Sequence, residues 1–115
     1  MRMEIKTEPL VVNGLRIVLS ENRREVARAR VYFLYNDLHK QPFAYLEDVF
    51  VKSEFRGKGF GSKLIQLAIS EAQKQKCYKI VATSRFSNER AHHLYLNAGF
   101  EARGKSFRLD LSRSI

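Results

Sequence analysis

The stretch EFRGKGFGSKL, residues 54–64, decides how the rest of the chain is read. It places Gly57, Gly59 and Gly61 at alternate positions among Arg56, Lys58 and Lys63. Glycine loses more freedom than any other residue when the chain orders, so three of them at one place need a reason. Before them runs FAYLEDVFV, residues 43–51, apolar on both faces except at Glu47 and Asp48, which reads as a central strand. After them, apolar residues fall at 60, 64, 65, 68, 69 and 72, the spacing of a helix with one buried stripe. The glycines therefore occupy a strand-to-helix turn, where the first N–H groups of the helix lack partners and its dipole is positive. With no side chains at 57, 59 and 61, a ligand can reach the backbone, and the basic neighbours add charge: a cradle for phosphate. The plainer alternative is a tight turn that needs positive φ. A Walker loop and a G-x-G-x-x-G dinucleotide fingerprint are both excluded by the spacing.

Outward from this turn the chain alternates strand and helix signals. EIKTEPLVV and LRIVLS flank Asn13-Gly14, the strongest short signal for a hairpin, with Pro9 marking an edge or a bulge. EVARARVYFLY reads as a third strand. Beyond the glycine loop and its helix (60–76), KIVATS reads as a fifth strand. SNERAHHLYLNAGF reads as a second helix, capped by Ser87 or Asn88 and closed by Gly99. FEAR and SFRLDL around Gly104 suggest a terminal hairpin. The expectation is one domain, residues 1–115, of the α/β (α+β) class. Its mixed sheet of about six to seven strands has a parallel pair at the centre and carries two main helices.

The 115 residues carry 21 Lys+Arg against 12 Asp+Glu, a formal charge of +9. Such a surface attracts polyanions without choosing among nucleic acid, membrane and a phosphate-rich cofactor. The single cysteine, Cys77, excludes an internal disulfide and reads as a small hydrophobe. No apolar run is long enough to cross a bilayer, and MRMEIKTEPL has no apolar signal core, so a cytoplasmic protein is expected. His92 and His93 diverge by about 100° on a helix, so no metal site is expected.

The spacing Arg-x-x-Gly-x-Gly, from Arg56 to Gly61, resembles the GNAT superfamily of acetyl-CoA-dependent N-acetyltransferases. YLEDVFVKSEFRGKGFGSKL is similar to that family's cofactor strand and pyrophosphate loop, and is closest to its diamine acetyltransferase branch. SNERAHHLYLNAGF is similar to its second signature: an Asn at the helix start, a Tyr seven residues on, a Gly-Phe end. The resemblance implies acetyl-CoA as co-substrate. Its pantetheine arm would lie on the backbone of Val49, Phe50 and Val51. Its pyrophosphate would sit on the loop Arg56, Gly57, Lys58, Gly59, Phe60, Gly61 and Ser62, and Asn88 would touch or place the arm. Tyr95 would donate a proton to the leaving sulfur, and Glu47 would act as general base, its pKa raised in a partly dry cleft. For Tyr95, a core tyrosine is the alternative; for Glu47, a structural carboxylate; for Asn88, a plain helix cap.

The usual helix pair between the first strands is missing here, because residues 15–35 carry strand signals and the charged turn SENRRE. The acceptor side is then open or completed by a second subunit, and a homodimer is expected. An open site suits a protein N-terminus or lysine as well as a small amine or polyamine. A charge of +9 repels a polycation, although Glu21, Glu25, Asp37, Glu47 and Asp48 could gather. The alternative from another class is a non-catalytic acetyl-CoA-binding module, or a basic nucleic-acid or ribosome-associated one using RARVYFLY to stack bases.

Overall fold

A computed structural model of the chain describes residues 2–36 and 39–112, which leaves Asp37 outside the described residues. One sheet has the order β1-β2-β3-β4, with β1 Asn13–Glu21, β2 Arg24–Leu34, β3 Phe43–Val51 and β4 Ile80–Ala82. The first three pair antiparallel and β3 pairs parallel with β4. Helix α1, Phe60–Lys74, connects β3 to β4, and α2, Glu89–Asn97, follows β4. The mixed class, the parallel pair and the two helices are those expected. The strands number four among the described residues, not six to seven. No helix pair interrupts β1 and β2.

The hairpin turn is not at Asn13-Gly14. Those residues begin β1, and Gly14 lies so close to β2 that an added Cβ would sit 2.9 Å from the Val31 carbonyl oxygen. This glycine serves close approach between strands rather than a turn. The chain reverses instead at Asn22 and Arg23, both left-handed at φ 50° and 66°, between the paired Glu21 and Arg24. That is the geometry of a two-residue primed turn, which favours Asn-Gly. Arg23→Gly is therefore expected to stabilise the fold by roughly 0.5–1 kcal/mol, the left-handed penalty less the entropy glycine adds to the unfolded chain. Urea unfolding tests this, and an unchanged or lower midpoint would contradict it.

Residues 2–12 and 100–112 carry no strand, so the expected first strand and terminal hairpin are absent. Phe107, Leu109 and Leu111 alternate with polar residues as a strand should, yet all three are exposed. Alternation alone does not make a strand: a two-stranded hairpin is marginal without a sheet or helix to cover its apolar face.

The core lies between the sheet and α1. On β2 the buried positions alternate through Ala27, Ala29, Val31 and Phe33, while Arg28, Arg30 and Tyr32 are half-buried on the other face. Helix α1 buries Leu64, Ile65, Ala68 and Ala72, the stripe its periodicity predicts. It ends at Lys74, two residues short of the expected 76. Lys76 turns left-handed at φ 59° and the Cys77 N–H bonds back to the Ala72 carbonyl.

Candidate active site

Leu46-Glu47-Asp48-Val49 puts two acids side by side in a strand whose neighbours belong in the core. A regular strand would turn one of them inward, since successive side chains point to opposite faces. The chain solves this with a bulge. Opposite Arg28 and Arg30 on β2 stand Phe50 and Glu47 on β3, so β3 holds one extra residue. Asp48 takes a left-handed φ of 56°. Its carboxylate accepts a hydrogen bond from Arg28 Nε at 2.9 Å and another from Arg30 Nη1. Glu47 is exposed, and Val49 and Val51 return to pack on the core. Two adjacent acids inside an apolar strand were the signal for this bulge in the sequence.

The bulge coincides with a parting of strands. β3 pairs with β4 only over Ala44–Leu46, but stays paired with β2 as far as Val51. Beyond Leu46 the β4-facing edge of β3 has no strand neighbour among the described residues. An extended ligand could add to that edge by backbone hydrogen bonds. The opening widens into an exposed cleft of ≈ 920 Å³ lined by Glu47, Asp48 and Val49 of β3, Arg30 and Tyr32 of β2, Arg85 before α2, and Arg108. Of the expected site residues, this lining takes Glu47 and Val49 and none of the glycine loop.

The guanidinium of Arg28 beside Asp48 holds its carboxyl below the usual carboxylate range, with Arg30 and Arg16 adding to the effect. Because the folded state lowers this pKa, its stabilising share is present above the ordinary value of about 3.9 and is lost as pH falls below it. Asp48→Asn, which tolerates the left-handed backbone, is expected to flatten the acid side of the stability profile below about pH 4. Denaturant midpoints read over that range test it; a profile parallel to that of the parent would contradict the assignment.

The three glycines divide into two kinds. Gly57 and Gly59 are left-handed at φ 76° and 89°, and an added Cβ on either would meet nothing within 4 Å. Positive φ and open space thus occur together, so the turn and the cradle are not alternatives here. Gly61 differs from expectation: an added Cβ would lie 3.1 Å from Leu94 Cδ1. It lets α1 approach α2 and does not clear a path for a ligand. Gly59 caps α1 without a side-chain hydrogen bond, and the first intrahelical bond runs from the Lys63 N–H to the Gly59 carbonyl. The N–H groups of Phe60, Gly61 and Ser62 therefore begin the helix without intrahelical partners. Lys58 and Lys63 are exposed. Arg56 is anchored rather than mobile: its Nε–H donates to the Val51 carbonyl at 3.0 Å, tying the loop to the end of β3. Phe50 lies under Arg28, 4.6 Å from guanidinium carbon to ring centre.

Helix α2 fixes Tyr95 from both ends. Asn88 caps it, Oδ1 accepting from the Ala91 N–H at 3.1 Å, so the plain cap is real and the side-chain oxygen is already used. At the far end Gly99 is left-handed, φ 101°, and the Phe100 N–H bonds to the Tyr95 carbonyl at 3.0 Å. This closing motif brings together the side chains at its two ends. The Tyr95 and Phe100 rings meet at 5.3 Å, tilted by 51°. Tyr95 is half-buried and packs on the same core cluster as Val49 and Val51. Burial, with Tyr45 nearby, pushes its phenol above the ordinary value, so it keeps its proton at neutral pH. His92 Nε2 rests 2.8 Å from the Arg85 carbonyl, against the helix entry. Cys77 is half-buried and burial pushes its thiol up, which fits an inert small side chain. In RARVYFLY, Val31 and Phe33 are buried and Arg28 and Arg30 serve Asp48.

A parallel strand pair splayed past a bulge, with a glycine loop feeding a helix N-terminus, organises this mixed α+β fold. The chain belongs to the acetyltransferase (GNAT) family, whose model matches residues 8–100. It is 38% identical over 68 residues to thialysine N-epsilon-acetyltransferase of Bos taurus, covering 59% of this chain and 39% of that protein. It is 32% identical over 68 residues to N-alpha-acetyltransferase 30 of Saccharomyces cerevisiae, with the same shares. The chain thus spans about two-fifths of the length of these relatives. Among solved structures, a putative acetyltransferase from Agrobacterium tumefaciens str. C58 superposes with a TM-score of 0.79 at 26% identity, covering 84% of this chain and 68% of that one.

Proposed function

We propose that this chain is an acetyl-CoA-dependent N-acetyltransferase that moves an acetyl group directly to a primary amine held beside the cofactor. The observation that carries this reading is the free edge of β3 leading into the Gly57–Gly59 turn and the open first turn of α1. An extended arm with a pyrophosphate at its end needs that sequence of partners: backbone edge first, then converging N–H groups.

When bound, acetyl-CoA supplies an activated acetyl thioester whose thiol is a good leaving group. The chain supplies orientation and protons. Val49, Phe50 and Val51 present the edge, and the amides from Gly57 to Ser62 take the phosphates, the Arg56 N–H being bonded already to the Ser53 carbonyl. Tyr95 holds a proton at neutral pH and gives it to the departing sulfur. Glu47, exposed in the cleft, takes a proton from the amine, directly or through water. Its exposure argues for an open, wet site rather than the partly dry one expected. Asn88 acts by fixing the start of α2, and so the position of Tyr95.

The test is chemical. The chain is mixed with acetyl-CoA and a panel of small primary amines and a peptide with a free N-terminus. Free thiol and acetylated amine should appear in equal amounts. Thiol release without any acetylated amine, or neither product with any acceptor, would overturn the reading.

A further inference from the structure

The acceptor can be narrowed by asking which charges around the cleft are already spent. This rests on the acetyltransferase reading above. Of the five acids that could hold a polycation, Asp37 lies outside the described residues and Glu21 outside the cleft lining. Asp48 is held by Arg28 and Arg30. Glu25 is held by Arg16 at 2.8 Å, with Arg28 at 3.8 Å. These three arginines face two acids, so the network keeps a surplus positive charge. In the cleft lining, Glu47 is the acid without an ion pair to a described residue, and Arg85 is the guanidinium without one. Arg108 there pairs with Asp110 through Nε at 2.7 Å.

Among the described residues, one carboxylate and one guanidinium without ion-pair partners thus line the same cleft. A diamine brings two positive charges and meets one free acid, with Arg85 and the surplus of the arginine network against its second ammonium. An amine carrying an oxyanion meets a partner for each end: ammonium toward Glu47, oxyanion toward Arg85. We propose that the acceptor is a small primary amine bearing a carboxylate or phosphate, and that Arg85 is the residue that selects it. Guanidinium suits this task, because its planar fork takes either oxyanion through paired N–H donors.

The experiment uses the full chain with acetyl-CoA and matched acceptors: alkylamines, diamines of the same length, ω-aminoalkanoates and aminoalkyl phosphates. Thiol release gives kcat/KM for each, and the last two arms separate carboxylate from phosphate. The better of the two oxyanion arms should exceed the matched diamine on the order of tenfold or more, the scale of one charge-assisted contact. Arg85→Glu should reverse that order while the thermal midpoint stays near that of the parent, since Arg85 is exposed. A structural role alone would lower all acceptors together. Diamines outrunning both oxyanion arms would overturn the proposal, as would an Arg85→Glu ratio equal to the parent's. Binding of acetyl-CoA, seen as a raised thermal midpoint, with no turnover of any oxyanion-bearing amine would overturn it and leave the cofactor site standing. Absence of acetyl-CoA binding would overturn both readings.

Discussion

Tyr95→Phe is expected to lower kcat on the order of 10²-fold, the scale of one positioned proton donor, with KM for acetyl-CoA and the thermal midpoint close to those of the parent. The ring contact with Phe100 and the closing motif of α2 remain in the variant, so the fold keeps its support. What is lost is one hydroxyl, which any phenol keeps protonated at neutral pH and which burial keeps protonated further into alkali. The sign of the pH effect follows. The folded state raises this pKa, so the donor stays loaded until the pH passes the ordinary value of about 10. Any alkaline fall in kcat due to this group should lie above pH 10 in the parent and vanish in the variant. Steady-state kinetics across pH 6–11 reads both. A variant turning over at the parental rate would make Tyr95 a core residue and nothing more.

The second large effect concerns Asp48→Val. The backbone at this position is left-handed at φ 56°, which a β-branched side chain tolerates poorly. Strain of that kind costs about 2 kcal/mol, or roughly 8 °C in the midpoint of a domain this size. Arg28 and Arg30 also lose the carboxylate that holds them to the bulge. If the bulge is expelled, the register of Val49, Phe50 and Val51 slips by one and their inward and outward faces exchange. Binding of acetyl-CoA should weaken at least tenfold together with stability. Asp48→Gly separates the causes: it accepts positive φ but lacks the carboxylate, so it should recover most of the stability lost by the valine variant. Calorimetry with and without acetyl-CoA measures both quantities. A valine variant as stable as the parent would show that the bulge does not depend on Asp48.

These two residues mark the limits of what the sequence discloses. Helix α1 and strand β3 were legible because their periods are strong and the glycine turn separates them cleanly. Both ends of α2 were legible because Asn88 and Gly99 occupy positions with a definite stereochemical demand. The bulge was not foreseen, although LEDV contained it: adjacent acids were weighed as separate chemical groups, not as a backbone problem. Asn13-Gly14 misled because the dipeptide is a local signal. What decides its role is the strand lying 2.9 Å from where a Cβ would be, a fact of pairing. Gly61 misled in the same way, since its reason is Leu94, more than thirty positions along the chain. The alternation at Phe107, Leu109 and Leu111 states which face of a strand would be apolar, not whether a neighbour exists to cover it. Strong periods and the stereochemical demands of helix ends are legible in the sequence; the close approaches that Gly14 and Gly61 permit are not, because a distant partner sets them.

The central claim is that the β3 edge, the glycine turn and the start of α1 form an acetyl-CoA site. The most direct measurement is the thermal unfolding midpoint with acetyl-CoA, beside ATP as a polyanion of similar phosphate chemistry. A ligand at about 100 times its dissociation constant adds ~2.7 kcal/mol, which raises the midpoint by roughly 10 °C for a domain of this size. The account predicts a shift of that order with acetyl-CoA and little with ATP. Equal shifts with both, or none with acetyl-CoA, would contradict it.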